Sequence, residues 1–192
     1  MIRWITTLEE TPAWPAPCAW IVRRDTPEAR FAATPGPEDL ADAALGRARD
    51  LGGGRLWRRR LLRALAARWL DAQTEEIVFE RETSGAARLV APRSGWVSAA
   101  SRSDWACVAV AVDLVGVDIE LKFEGPGSPL TPPEADLRRW TATEAYAKAA
   151  GCSLDEAWTA AAQAELIAAP GRPELSVSRL ETAEIVAAAV WR

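Results

Sequence analysis

The sequence predicts an α+β fold of two similar lobes, because each half of the chain contains one long helical segment followed by strands. In the first half, residues 57–70 carry leucines and alanines at helical spacing, with arginines between them. In the second half, a helix over residues 134–150 begins after two prolines and ends at Gly151. We therefore expect lobes of residues 1–104 and 105–192, each a long helix packed on a small antiparallel sheet.

The predicted strands are short, apolar and separated by turn residues. They cover residues 20–23, 77–81, 88–91, 96–101, 106–112, 115–121, 175–180 and 185–191. Two further helices are predicted over residues 38–50 and 154–166, and a Gly-, Pro- and Ser-rich linker over residues 123–133.

Composition excludes several kinds of active site. The chain has 192 residues, 49% of them hydrophobic, and a net charge of −4. This charge argues against broad nucleic-acid binding, because phosphate-neutralising surfaces usually carry a basic excess. The chain has no histidine, so Ser-His-Asp, Cys-His and histidine-ligated zinc sites are excluded. Carboxylates must therefore carry any metal or proton chemistry.

Several features of the sequence predict a cytoplasmic protein that does not bind membranes. The N-terminus lacks the basic, apolar and small-residue regions of a secretory signal. The longest apolar stretch, residues 105–117, is interrupted by Asp113 and is too short to cross a bilayer. The three cysteines, Cys18, Cys107 and Cys152, form neither a C-x-x-C pair nor an even disulfide set, so we expect them to be reduced.

The predicted strand over residues 115–121 places two carboxylates on one face. Side chains alternate along a strand, so Asp118 and Glu120 project to one side while Val117 and Ile119 pack on the other. Such a pair repels itself unless it is neutralised, and a hard divalent cation shared with a phosphate is a common solution. The alternative is a strand face with two solvated acids, which is the more frequent case for an isolated D-x-E pattern.

The predicted helix over residues 134–150 adds a third carboxylate and an ammonium. Glu144 and Lys148 are four residues apart and share a helical face, with Trp140 one turn earlier. These side chains could line the same cleft as the two strand acids. The alternative is an ordinary ion pair on a solvated helix, which contributes about 0.3–0.5 kcal/mol and requires no function.

Together, the strand and the helix resemble the 4'-phosphopantetheinyl transferase superfamily in its larger, two-lobed pseudo-dimeric form. Residues 116–120 match that family's G-[IV]-D-[IV]-E strand. Residues 140–148 match its W-[ST]-x-K-E-[AS]-x-x-K helix except at Thr143, where lysine is usual. The two motifs occur in the family's order. The resemblance implies a pseudo-twofold fold with coenzyme A between the lobes.

The resemblance also implies an activity and a metal site. The enzyme would transfer the 4'-phosphopantetheine group from coenzyme A to a serine of an acyl or peptidyl carrier protein, releasing 3',5'-ADP. Asp118, Glu120 and Glu144 would bind Mg²⁺ together with the coenzyme pyrophosphate. Glu144 or a metal-bound water would take the serine proton, and a monomer is expected.

The coenzyme A contacts implied by the resemblance are assigned to three basic or polar side chains. Lys148 would steady a phosphate as a point charge and is counted with the catalytic residues. Arg59, on the helix of the first lobe, would contact the nucleotide phosphate. Ser101 belongs to the stretch that matches an S-H-S-like turn of the family and would also bind the coenzyme.

Three family contacts to phosphate are altered. Ala100 lies where the family has a histidine, Ala86 lies in a G-K-P-like turn, and Thr143 replaces the usual lysine. Each charge-assisted hydrogen bond to phosphate is worth about 1.5–3 kcal/mol, so their loss would weaken coenzyme A binding unless others compensate. The arginines that could compensate are Arg88, Arg93 and Arg102; the alternative is that each is an ordinary solvated arginine.

Three interpretations therefore follow. The first is a working Mg²⁺-dependent transferase, favoured by the intact acids and Lys148. The second is a non-catalytic relative that binds a carrier protein or another partner, favoured by Ala86, Ala100 and Thr143. The third is an unrelated α+β domain in which the motifs coincide by chance. If Glu144 lay far from Asp118 and Glu120, the family resemblance would be accidental and only the third interpretation would remain.

Overall fold

The computed structural model describes residues 1–10, 12–32, 54–82, 87–122, 134–162 and 175–192. Over these residues the protein is mixed α+β, with a body formed mostly by β-sheet. The strands are β1 Arg3–Ile5, β2 Cys18–Arg23, β3 Val78–Arg81, β4 Ala87–Ala91, β5 Gly95–Arg102, β6 Trp105–Ala111, β7 Val115–Leu121, β8 Ser176–Glu181 and β9 Ile185–Trp191. The α-helices are α1 Gly54–Leu70, α2 Glu134–Ala150 and α3 Leu154–Ala162.

The strands form two sheets. Sheet A has six strands in the order β1-β2-β6-β5-β4-β3, antiparallel except for the parallel pair of β1 and β2. Sheet B is antiparallel and has the order β7-β9-β8. β5 and β6 form a hairpin in which Arg102 pairs with Trp105, and the turn between them places Ser103 at a φ of 50°. β6 begins directly after the predicted lobe boundary at residue 104, yet it pairs with β2 and β5 inside sheet A. That boundary therefore does not separate the two sheets.

The sheets pack against each other, and each carries a long helix on its other side. One buried cluster joins α1 to sheet A, for example Leu61 to Val108. A second joins the two sheets and includes Ala109 of sheet A and Ile119 of sheet B. A third joins α2 and α3 to sheet B and includes Tyr146. The alternation of strand side chains thus divides the apolar residues among three cores, and the layers run helix, sheet, sheet, helix.

Most of the predicted elements are present. The helix over residues 134–150 and the strands over residues 115–121 and 185–191 have the predicted limits, and the ends of the other predicted strands differ by at most two residues. β1 was not predicted, because three residues are too few to show a pattern. The predicted helix over residues 38–50, the linker over 123–133 and the end of the helix predicted to reach residue 166 lie outside the described residues.

The left-handed conformation of Gly151, at a φ of 63°, ends α2 as predicted. Across the described part of the chain, no helix combines the length and apolarity that a bilayer span would require. The position of α2 on β7 determines the geometry of the candidate site.

Candidate metal centre

Gly116 allows the backbone of α2 to lie directly on β7. A Cβ atom at this position would lie 2.0 Å from the carbonyl oxygen of Ala145 and 2.5 Å from the backbone nitrogen of Ala149. The helix residues that face Gly116 are Ala145 and Ala149, whose small side chains allow this close approach. Because strand and helix are in backbone contact, side chains further along the same face of β7 come within reach of the polar side chains of α2.

Asp118, Glu120 and Glu144 converge at this contact. Each offers one carboxylate oxygen, and the three oxygens lie within 4.8 Å of one another. Asp118 is 4% exposed, whereas the side chains of Glu120 and Glu144 are 17% and 25% exposed. The three carboxylates therefore form a cluster that is closed at Asp118 and open to solvent at Glu144. We call these three residues the acid cluster.

Lys148 contacts the acid cluster from α2. Its Nζ lies 2.6 Å from Oδ1 of Asp118 and 3.6 Å from Oε2 of Glu144, and it donates to the carbonyl oxygen of Val117 at 3.2 Å. An ammonium group has three donors and no acceptor, so these contacts match its geometry. Lys148 therefore joins strand and helix and neutralises part of the negative charge.

The environment of Asp118 perturbs the ionisation of its carboxyl strongly. Burial is the largest effect and raises the pKa of its carboxyl to about 7; the ammonium of Lys148 lowers it, while the charges of Glu144 and Glu120 raise it. Its Oδ2 is buried and has no hydrogen-bond partner among the described residues. A buried carboxylate oxygen without a partner costs free energy, and a bound cation would satisfy it. The residues present therefore fit a hard divalent cation with oxygen ligands.

Arg102 contacts the acid cluster from sheet A. Its Nε lies 3.2 Å from Oε2 of Glu120. The other two arginines considered as compensating groups lie elsewhere: Arg88 Nη1 is 3.6 Å from Oε1 of Glu82, and Arg93 lies over the ring of Trp14. The sequence identified Arg102 as one of three candidates, and the hairpin geometry of β5 and β6 distinguishes it from the other two.

The predicted coenzyme A residues of the first lobe lie on the α1 side of sheet A. Oγ of Ser101 accepts a hydrogen bond from Nη1 of Arg58 on α1, at 3.2 Å. Arg59 lies beside Arg58 on that helix. Since neighbouring side chains of a strand point to opposite faces, Ser101 faces α1 while Arg102 reaches Glu120. The described contacts therefore join Arg102, rather than Ser101, to the acid cluster.

Two of the three altered phosphate positions are buried. Thr143 is 0% exposed, and its hydroxyl donates to the carbonyl oxygen of Arg139 at 2.9 Å. Ala100 packs in the core between the sheets. On the same strand, Oγ of Ser98 accepts a hydrogen bond from the backbone nitrogen of Val117 at 3.0 Å. Thr143 and Ala100 thus have packing roles here, and Ala86 lies outside the described residues.

Comparison of the chain with models of known protein families and with curated proteins gives no match. The function must therefore be inferred from the centre itself. Three carboxylates suit a hard cation, while the nearby ammonium and guanidinium groups suit an anion. Such a centre could hold a divalent cation together with a phosphate.

Proposed function

We propose that the chain is a 4'-phosphopantetheinyl transferase, which moves the 4'-phosphopantetheine group from coenzyme A to a serine of an acyl or peptidyl carrier protein. The observation that carries the proposal is the convergence of Asp118 and Glu120 on β7 with Glu144 on α2. The motifs that resemble this family are far apart in the sequence, yet their carboxylates share one point. Chance matches of a strand motif and a helix motif would not be expected to converge in this way.

Asp118, Glu120 and Glu144 would hold Mg²⁺ in this centre. When bound, the ion would neutralise charge on the pyrophosphate of coenzyme A and on the departing group. The low exposure of Asp118 and its unpartnered Oδ2 suit a side chain that would hold the ion from the protein interior. Glu120 and Glu144 remain partly exposed, so the outer side of the centre stays open to the substrate.

In the proposed reaction, the carrier serine oxygen forms a bond to the phosphorus next to the pantetheine arm. The bond from that phosphorus to the bridging oxygen breaks, and its electron pair leaves with 3',5'-ADP. Glu144, the most exposed acid of the cluster, accepts the serine proton. Lys148 lies against both Asp118 and Glu144, where its charge would steady a phosphate oxygen.

The layered architecture supports the two-lobed form of this family. α1 with sheet A and α2 with sheet B are two helix-on-sheet units that pack through their sheets. We propose that they correspond to the family's two lobes, with coenzyme A bound beside the acid cluster by Lys148.

Because β6 belongs to sheet A, the division between the two units falls after residue 111 rather than at the predicted boundary of residue 104. Arg59 and Ser101 lie on the α1 side of sheet A, so their predicted contacts with coenzyme A would have to be made on the face away from sheet B. Arg102 projects from the first unit to the acids of the second, so the centre lies where the two units meet.

The second candidate is a non-catalytic relative that binds a carrier protein or another partner. It is favoured by the burial of Thr143 and Ala100, because neither side chain is placed to contact a phosphate. Under this proposal the acid cluster would hold a cation structurally or would hold none, and no group transfer would occur. The two candidates differ in whether the carrier serine becomes modified.

The test is incubation of the protein with coenzyme A, Mg²⁺ and a panel of apo carrier proteins, followed by intact mass measurement. A phosphopantetheine adduct that disappears in Asp118→Ala supports the transferase. Asp113→Ala is the matched control, because Asp113 is a half-exposed aspartate paired with Arg192 outside the acid cluster. Mg²⁺ binding without any adduct would support the second candidate, and the absence of both would refute the metal centre.

A further inference from the structure

Arg102 and a metal ion would compete for the same carboxylate. Nε of Arg102 lies 3.2 Å from Oε2 of Glu120, whose side chain is 17% exposed. A divalent cation bound by Glu120 would repel the guanidinium that lies against that oxygen. A guanidinium also has five donors in a planar fork, and this fork matches the oxygens of a phosphate or pyrophosphate group. Displacing Arg102 from Glu120 would therefore leave an anion-binding group next to the cation.

We propose that Arg102 couples the binding of cation and anion: Glu120 exchanges Arg102 for the cation, and Arg102 then binds the pyrophosphate group that accompanies the cation. This inference rests on the proposed function and names the residue that links its two ligands. Arg102 lowers the affinity for the cation alone, because it competes for Glu120. It raises the affinity for the cation–pyrophosphate complex, because it contacts the anion. Binding of either ligand then raises the affinity for the other by the same factor.

The position of Arg102 is the one that this role requires. It stands at the last residue of β5, beside the hairpin turn that leads to β6, and it reaches from sheet A to sheet B. Lys148, in contrast, is held by Asp118, by Glu144 and by the carbonyl oxygen of Val117. Lys148 thus contacts the acids within one strand–helix unit, whereas Arg102 reaches Glu120 from the other sheet, on the side where an anion bound beside the cation would also meet it.

The test compares two titrations by calorimetry at pH 8, one with Mg²⁺ alone and one with the preformed magnesium–pyrophosphate complex. In Arg102→Gln we expect Mg²⁺ alone to bind about threefold more tightly, because a partly exposed ion pair no longer competes. The magnesium–pyrophosphate complex should bind roughly 10- to 100-fold more weakly, because a charge-assisted hydrogen bond to phosphate is lost. Arg102→Lys, which keeps the charge without the fork, should lie between Arg102→Gln and wild type.

Arg93→Gln is the matched control, because Arg93 stacks on Trp14 away from the acid cluster, and it should change neither affinity. A rise in the affinity for Mg²⁺ together with a fall in the affinity for magnesium–pyrophosphate would support the coupling, because a purely structural role of Arg102 would not shift the two affinities in opposite directions. If both affinities fall together, or neither changes, the coupling is refuted while the metal centre stands. If the wild-type protein binds no Mg²⁺ in either titration, the metal centre of the proposed function and this inference are both refuted.

Discussion

The contact between α2 and β7 can be tested by adding one methyl group, in Gly116→Ala. The new Cβ would lie 2.0 Å from the carbonyl oxygen of Ala145 and 2.5 Å from the nitrogen of Ala149. Non-bonded heavy atoms are comfortable at about 3.5 Å, so the helix or the strand must move by about 1.5 Å. Both obstructing atoms belong to a helix backbone, which cannot turn aside as a flexible side chain would.

The expected cost of Gly116→Ala is about 3 kcal/mol of the free energy of unfolding, at the upper end of the usual range for overpacking. For a chain of this size that cost corresponds to a decrease in Tm of roughly 6–12 °C. The same displacement separates Lys148 from Asp118, which now lie 2.6 Å apart, and spreads the acid cluster. Mg²⁺ affinity should therefore fall along with stability, even though Gly116 offers no ligand.

The assay is a urea titration for stability, followed by calorimetry with Mg²⁺ on the folded variant. Gly95→Ala is the matched control: its Cβ would lie 2.9 Å from the carbonyl oxygen of Ala111, at the opposite end of β5 from Arg102. It should cost less stability and leave Mg²⁺ affinity unchanged. Equal stability of Gly116→Ala and wild type would refute the proposed contact, and an unchanged Mg²⁺ affinity would refute its role in forming the centre.

Three further predictions concern the charges and burial of the centre. Burial raises the pKa of Asp118 to about 7, so the folded state holds this proton up to a higher pH than the unfolded state. The free energy of unfolding of the metal-free protein should therefore fall as pH rises from about 4 to 7. Asp118→Asn should flatten this part of the curve of Tm against pH. Lys148→Met should lower the free energy of unfolding by about 2 kcal/mol at pH 8, and by less at pH 5.5, where Asp118 is largely protonated. Equal decreases in urea titrations at both pH values would contradict the pairing of Lys148 with Asp118. Thr143→Lys should lower the free energy of unfolding by about 2 kcal/mol or more, because the position is fully buried, whereas Thr143→Val should be nearly neutral. If thermal melting showed Thr143→Lys to be as stable as wild type, the position would have to open to solvent.

The sequence predicted those elements whose patterns are local. β7 alternates apolar and acidic residues, and α2 has a proline start and a glycine stop, so both were placed with their observed limits. The pairing of β6 with β2 and β5 depends on contacts between residues far apart in the chain, which a local pattern does not encode. The short β1 is stabilised by its parallel pairing with β2 and has little pattern of its own.

For the candidate site, too, the sequence predicts the local spacings but not the contacts that depend on tertiary packing. The spacing of Asp118 and Glu120, and of Glu144 and Lys148, follows from strand and helix periods and needed no tertiary information. Arg102 could not be distinguished from Arg88 and Arg93 in the sequence, because its contact with Glu120 depends on how sheet A packs on sheet B. For the same reason the sequence did not show that Ser101 faces α1.

The contacts of the acid cluster also bear on how the centre forms. Three carboxylates within 4.8 Å of one another would repel strongly if nothing neutralised them. Lys148 pairs with Asp118 and Glu144, and Arg102 pairs with Glu120, so each acid has a cation beside it before any metal arrives. Folding therefore need not await the metal, and we expect the centre to be preformed in the metal-free chain. Under our proposal, cation binding would then be an exchange of partners within an existing site, and the centre would favour a cation that brings its own anion.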